Sequence, residues 1–343
     1  MELKRATHLT VLLIGIVFIL IIGQSIIIPI LLAGFVWFLI KEIRKLAQRI
    51  PFIGKRFPRW ILNLLSISLL YFTLGAIIHL LANNINDLSN NIPIYEKNLT
   101  DFSTSIGEQF DIDVLGIWDN FVGEFDISVV LKELLSSLSE LLGETFMIGL
   151  YLLFILLEES LFSAKILSIY KDEKKRDEMT KTLGKISNSI SSYISLKTLV
   201  SIITGTLSYI VLALIGIDSP LFWAFLIFIL NFIPTIGSLI ATLFPASMAL
   251  LQFGDINVAL IVLGAVGAIQ LIMGNIIEPK IMGNSLNVSS FVVILALSLW
   301  GAIWGITGMV LSVPITVILI ILFSQFPGTR NVAVLLSEKG KID

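Results

Sequence analysis

The chain alternates long apolar blocks with shorter polar stretches, the blocks lying at 9–22, 26–40, 60–82, 145–162, 198–217, 221–251, 257–277 and 289–325. About 18–25 apolar residues suffice for a helix to cross a bilayer. The pattern therefore predicts an all-α polytopic membrane protein with about eight transmembrane helices, several of them broken or kinked. Only "GQS", Gly23 to Ser25, separates the first two blocks, which read as a tight helical hairpin; one long bent helix is the alternative. Pro29 falls early in the second helix, where a missing N–H costs little.

Two blocks are too long for one straight span. In "PLFWAFLIFILNFIPTIGSLIATLFPASMALLQFG", Pro234 deprives Leu230 of its helical partner, Gly237 loosens the next turn and Pro245 adds a second break. In lipid, freed carbonyls are tolerated where protein or water satisfies them, and transporters use such breaks to offer backbone groups to a solute. A kinked span, two half-helices and a re-entrant hairpin all fit. The block at 289–325 has the same ambiguity: Gly301, Gly305 and Gly308 permit close contact or a re-entrant turn, and Pro314 permits a kink.

The polar stretches differ from one another. Within 83–144, apolar residues from Val129 to Leu142 recur at helical spacing and predict a helix leading into the fourth span. "NNINDLSNNIPIYEKN" reads as turn-rich, with Pro93 breaking any helix. The stretch 163–197 predicts an amphipathic arm at the membrane surface, its lysines near anionic lipid. On the fourth span, Glu158 and Lys165 share a helix face.

Charge orients these pieces. Segment 41–59 carries seven basic residues and one Glu, and 163–197 carries eight basic and four acidic. Segment 83–144 carries twelve acidic residues against Lys97 and Lys132. The positive-inside rule places the basic segments in the cytoplasm and the acidic one outside. Eight spans then put both termini in the cytoplasm. The acidic segment reads as a self-packed cap or as a vestibule that concentrates cations.

Composition narrows the chemistry. The chain has 343 residues, no Cys and only His8 and His79, which leaves no zinc-protease pattern or Cys-ligated metal, so no metal site or cofactor is expected. A net charge of −2 gives no basic surface for nucleic acid. Walker A and G-x-S-x-G motifs are missing too, and the expectation is a non-enzyme.

From Thr198 to Thr329 the charged residues are Asp218, Asp255, Glu278 and Lys280. Pro279 disfavours a helical Glu278, so the seventh span is expected to end there, exposing carbonyls beside the carboxylate. That setting suits a cation or a proton. Lys280 would neutralise Glu278 or sit among headgroups. Gln270, Asn275 and Glu278 form an expected polar stripe, with Asn231 and Gln24 as further polar candidates. Gly283 and Asn284 turn the chain into the last span. The expected pathway residues are Glu278, Lys280, Asn275, Gln270 and Asn231; the expected hinges are Pro234, Gly237, Pro245, Pro279, Gly283, Gly305 and Pro314. The bland reading of "EPK" is a wetted outer loop between two spans.

The motifs "FIPTIGSLIATLFPA", "EPKIMGNSL" and "GAIWGITGMVLSVP" resemble those of the AI-2E transporter family, bacterial and archaeal membrane proteins named after exporters of the autoinducer-2 signal. Ser289-Ser290 departs from the His-Pro common in that family. The resemblance implies a homo-oligomeric secondary transporter of the prokaryotic plasma membrane. Some members are associated with autoinducer-2 export and others with exchange of Na⁺ or Li⁺ for H⁺. Three readings follow: an exporter of a small solute, a monovalent cation/proton antiporter using Glu278, and a scaffold that transports nothing. The expected regions are 1–82 (hairpin, basic loop, third span), 83–144 (acidic outer segment), 145–197 (fourth span and arm), 198–326 (transport core) and 327–343 (tail).

Overall fold

The computed structural model describes residues 2–49, 58–110, 127–169, 172–282 and 287–340. Throughout these residues the regular structure is helical. In chain order the helices are α1 (Glu2–Ile22), α2 (Gln24–Arg49), α3 (Arg59–Asn90), α4 (Ile92–Phe110), α5 (Ile127–Ile169), α6 (Glu173–Ile215), α7 (Pro220–Leu230), α8 (Ile236–Phe253), α9 (Ile256–Ile272), α10 (Glu278–Met282), α11 (Ser290–Gln325) and α12 (Arg330–Leu336). Among the described residues six helices are long and apolar enough to cross a membrane: Gln24–Arg49, Trp60–Ile77, Glu173–Ile215, Ile236–Phe253, Ile256–Met282 and Ser290–Gln325. This is an all-α, multi-pass membrane protein.

The expected hairpin at Gly23 is a bend instead. Gly23 alone separates α1 from α2, and its N–H donates to Ile19 while its carbonyl accepts from Ile27, as within a helix. Reversing direction between two helices takes about two to five loop residues, and one helically bonded residue does not supply them. The two-termini-inside expectation counted a full span on each side of Gly23, so its N-terminal half loses that support.

Both overlong blocks fold back on themselves. At the start of α7 and the end of α8, the Asp218 N–H donates to Gln252 Oε1 (2.7 Å) and Gln252 Nε2 donates to the Gly216 carbonyl (2.8 Å). The two ends of the block therefore meet, and 231–235 is the tip of a helical hairpin. In α11 the backbone leaves helical geometry at Trp304 and Gly305 (φ 59°, ψ −140°). A Cβ on Gly301 would lie 3.0 Å from Met309 Cε, although eight helical residues span about 12 Å. Ala296 and Trp300 pack with Ile315 and Leu319, which makes 290–325 a second hairpin. Length and composition alone pass Ser290–Gln325 as one span; its geometry makes it two limbs. Pro245 and Pro314 lie inside continuous helix in the second limbs, away from either tip.

The polar outer stretch is more helical than its composition suggests. α3 runs on to Asn90, and Pro93 occupies the first turn of α4, where a proline lacks nothing it needs. The expected helix leading into the fourth span is the first part of α5, which continues unbroken through the 145–162 block.

The chain divides into two compact units. One comprises 1–63, 143–196 and 282–343. Its core joins Ile190, Tyr193 and Ile194 of α6 to Val313, Val317 and Ile321 of α11. A second cluster sets Trp300 and Trp304 against Leu20, Ile27 and Leu31. At the polar end of α2, Arg44 makes a two-pronged pair with Glu159 (2.6 and 3.3 Å), to which Trp37 Nε1 also donates (3.0 Å). Lys165 pairs with Glu158, as their spacing predicts.

The other unit comprises 64–142 and 197–281. Its core gathers Leu212, Phe222, Ile227, Ala241, Ala249, Val262 and Val266 from α6 to α9, closed by Leu88 and Tyr95. Small residues let α8 and α9 approach: a Cβ on Gly267 would be 3.6 Å from Thr242. α9 starts cleanly because the Asp255 carboxylate accepts from the Asn257 N–H (2.8 Å).

Candidate functional site

In the second unit, α6 turns a polar face inward. Lys197, Ser201, Thr204 and Ser208 follow one another at spacings of four, three and four, which places them on one side of a helix, and all are buried. An apolar helix that hides four polar side chains must satisfy them from neighbouring helices or leave polar atoms free inside.

The first hairpin supplies some of these partners. α7 ends at Leu230, and Asn231 at the tip donates from Nδ2 to Ser201 Oγ (3.1 Å). One turn further, α7 lies close on α6: a Cβ on Gly205 would be 3.1 Å from the Ala224 carbonyl. The tip is a tight turn with unusual backbone. Thr235 has φ 59°, unusual for a β-branched residue. At Gly237 a Cβ would overlap the Leu230 carbonyl oxygen, so this position takes glycine alone. Thr204 turns its hydroxyl back to the Val200 carbonyl (2.8 Å), whereas Ser208 Oγ has no hydrogen-bond partner.

α10, beyond the end of α9, supplies the counter-charge. Lys197 Nζ lies 2.5 Å from Glu278 Oε1, the lysine side chain 6% and the glutamate 19% exposed. Lys280 is exposed and stands apart, so the carboxylate is neutralised by the last residue of the basic arm rather than by its near neighbour. The bland reading of "EPK" as a wetted loop fails for the same reason.

The local backbone explains how Glu278 arrives there. Pro279 does not end the helix: Glu278 is helical (φ −57°, ψ −49°). The chain relieves the proline with a five-residue π-turn, Met273–Ile277, in which the Glu278 N–H donates to the Met273 carbonyl five residues back. The wider turn leaves room for the proline ring, which lacks an N–H and crowds the carbonyl four residues before it. One extra residue per turn also resets the phase. Gln270 and Glu278, eight apart, become equivalent to about seven, or two turns of one face. Asn275 is carried off that face and is exposed, so the expected Gln270–Asn275–Glu278 stripe does not form. Gln270 is buried and its Nε2 is unpartnered.

Of the expected pathway residues, the structure brings Asn231, Gln270 and Glu278 into the interior of this unit and leaves Asn275 and Lys280 outside. Pro234 and Gly237 sit at the first tip and Gly305 at the second; Gly283 lies outside the described residues. Lys197 and Ser201 escaped sequence reading. Lys197 was grouped with the basic arm that it terminates, although the 197-201-204-208 spacing was there to be read. Among the described residues no cluster of His, Cys, Asp and Glu could hold a metal ion.

The base of the hairpin is latched to α4. Asp218 accepts from Tyr95 (2.7 Å), Asn91 (3.2 Å) and Gln252 (3.2 Å), and Asn98 donates to the Gln252 carbonyl (2.6 Å). Burial, then the bond to Asp218, pushes the Tyr95 phenol well above its ordinary range, so it stays a donor.

Comparison with known proteins places the chain in a family. The model of the AI-2E family transporters matches residues 9–328. The chain is 31% identical over 342 residues to the AI-2 transport protein TqsA of Escherichia coli K12, covering 96% of each. A putative transport protein of Borreliella burgdorferi is 33% identical over 258 residues (74% of this chain, 70% of the relative). One from Haemophilus influenzae is 29% identical over 349 residues (96% and 97%).

Proposed function

The chain belongs to the AI-2E family of transporters, and from that premise we propose that it is a secondary transporter of the plasma membrane that exports a small polar solute of the autoinducer-2 type. The observation that carries this reading is the buried polar face of α6, set against the broken tip of a hairpin. Asn231, Ser201 and the free Nε2 of Gln270 supply donors and acceptors for a hydroxyl-rich solute, and Lys197–Glu278 closes the track at its charged end. The basic arm that runs into Lys197 faces the cytoplasm in this reading. Hairpin 220–253 then opens outward, beside the acidic segment, and the C-terminal tail is cytoplasmic. Lipid and further copies of the chain cover the apolar exterior.

The test is efflux of an autoinducer-2-type furanone from loaded proteoliposomes. Efflux above that of protein-free vesicles, lost in Asn231→Leu, is expected. Wild-type efflux at the protein-free rate overturns the reading.

A second reading, monovalent cation/proton exchange, is favoured by one observation: the half-buried Glu278 carboxylate already holds a cationic group that another cation would replace.

A further inference from the structure

One face of α2 runs from exposed apolar side chains to a cation. Ile26, Ile30, Gly34, Trp37 and Lys41 follow one another at spacings of four, four, three and four, which places them on one side of the helix. Ile26 and Ile30 are exposed, and a Cβ on Gly34 would meet nothing within 4 Å. The other sides of α2 carry its packing: Pro29, Ala33 and Ile40 are buried, and Phe35, Phe38 and Leu39 reach the core between α6 and α11.

The cation at the end of this face has no carboxylate. Lys41 Nζ donates to Ser187 Oγ of α6 (2.5 Å) and stands 5.3 Å from the centre of the Trp37 ring. The acidic groups around it are taken. Both oxygens of Glu159 hold Arg44, one of them also accepts from Trp37, and Glu42 pairs with Lys45 (2.5 Å). On α5, Glu158 is paired with Lys165, and on α6 the exposed Lys185 adds further positive charge. Lys41, Arg44 and Lys45 against Glu42 and Glu159 leave one positive charge over. Ser187 is the hydrogen-bond partner of Lys41 among the described residues, so two of the three ammonium N–H groups remain, and Ser187 keeps its own O–H to give.

Aromatic side chains mark the depth of this cluster. Arg44 also donates to Asn63 Oδ1 of α3 (2.9 Å), and Trp60, one turn earlier on α3, is exposed. Tryptophans gather at the membrane–water interface, so Trp37 and Trp60 set Lys41 at headgroup level. From Ile30 to Lys41 the helix rises about 16 Å, close to the roughly 15 Å of hydrocarbon in one leaflet.

We propose that this face of α2 binds one anionic phospholipid, its phosphate held by Lys41 and Ser187 and an acyl chain laid along Trp37, Gly34 and Ile30. The surplus charge selects the headgroup. A lipid with one phosphodiester and no amine neutralises the site, whereas a zwitterionic lipid brings its own cation beside Arg44 and Lys45 and is repelled. The apolar stretch selects a lipid over a free anion, because Ile26 and Ile30 offer phosphate nothing.

The test is native mass spectrometry of the full chain released from detergent, with dioleoyl phosphatidylglycerol and dioleoyl phosphatidylcholine added in equal amounts. Wild type is expected to retain phosphatidylglycerol in clear excess. Lys41→Met keeps an apolar stem against Trp37 without the charge, and should bind that lipid about fivefold more weakly. Lys41→Arg should bind as wild type does. So should Lys175→Gln, which removes an exposed charge from the same helix as Ser187. Equal weakening in Lys175→Gln would mean a diffuse basic surface and overturn the site. A wild type that takes both lipids alike, or a Lys41→Met that keeps the preference, overturns it too. Displacement of the lipid by an equal concentration of inorganic phosphate would make the occupant a free anion. Lys41→Met splitting an oligomer with its bound lipid unchanged would make the occupant a second copy of the chain. Either of these results overturns the lipid.

Discussion

The two hairpins solve one backbone problem and meet different chemistry at their tips. In each, a glycine of the second limb comes so close to a carbonyl ending the first limb, Gly237 to Leu230 and Gly308 to Trp300, that a Cβ would overlap it. At the first tip, Asn231 reaches a buried serine on a polar helix face one turn from an ion pair. At the second, Trp300 and Trp304 lie 4.9 Å apart, and Trp304 Nε1 caps the Leu20 carbonyl (2.9 Å) at the bend of α1 and α2. The first tip therefore meets a buried polar helix face, and the second meets a backbone carbonyl at a helix bend. Aromatic rings pack at both tips, Phe228 on Phe232 at the first and Trp300 on Trp304 at the second, so the difference lies in what the polar groups meet.

The comparison is broken hardest at the ion pair. Glu278→Ala leaves Lys197 buried without a counter-charge and should cost about 3–5 kcal/mol in thermal or denaturant unfolding in detergent. Replacing both partners, Lys197→Met with Glu278→Leu, should recover most of that stability and none of the transport. Recovery of transport would remove the pair from the mechanism.

Next come the glycines. Gly237→Ala and Gly308→Ala should each destabilise by about 1–3 kcal/mol, since each forces a methyl against backbone. Similar losses in the two would confirm that the turns are equivalent in construction. A silent Gly308→Ala would show that they are not.

At the base of the first hairpin, Asp218→Ala removes the acceptor for three side chains and should cost about 1–3 kcal/mol. Faster hydrogen exchange is expected at 84–98 and at the start of α7, with the second hairpin unaffected.

The smallest change in stability should give the sharpest contrast in function. Trp304→Phe loses one hydrogen bond, about 1 kcal/mol, and should leave flux unchanged. Asn231→Leu costs a similar amount yet should reduce flux strongly. Equal flux in both variants would erase the distinction between anchor and site.

Much of this was legible in the residues. The apolar blocks and the breaks at Pro234–Gly237 and Gly305–Gly308 follow from periodicity and from residues with special backbone behaviour. Pro279 misled because the rule that a proline ends a helix is local. Here a π-turn absorbed the proline, and that insertion also moved Asn275 off the polar face while bringing Gln270 into line with Glu278. Pro93 misled for the opposite reason, since it fell at a helix start, where it fits. Lys197 was masked by its neighbours: one lysine after a run of basic residues looks like the end of a surface, until its helical phase is followed inward.

By itself the sequence determined the class of molecule, an all-α multi-pass membrane protein, and a family resemblance that the comparisons bear out; of the places where it suggested a break, some are breaks and others, at Pro93, Pro245, Pro279 and Pro314, are not. Hydrophobic spacing and proline and glycine chemistry act over a few residues, so a linear reading captures them. The tertiary structure alone decided whether a break bends or reverses the chain, and which charge meets which. Gln252 closing on Asp218 and Lys197 pairing with Glu278 join residues 34 and 81 apart. In an apolar interior a charge settles on whatever partner packing brings within reach, and packing depends on every helix at once.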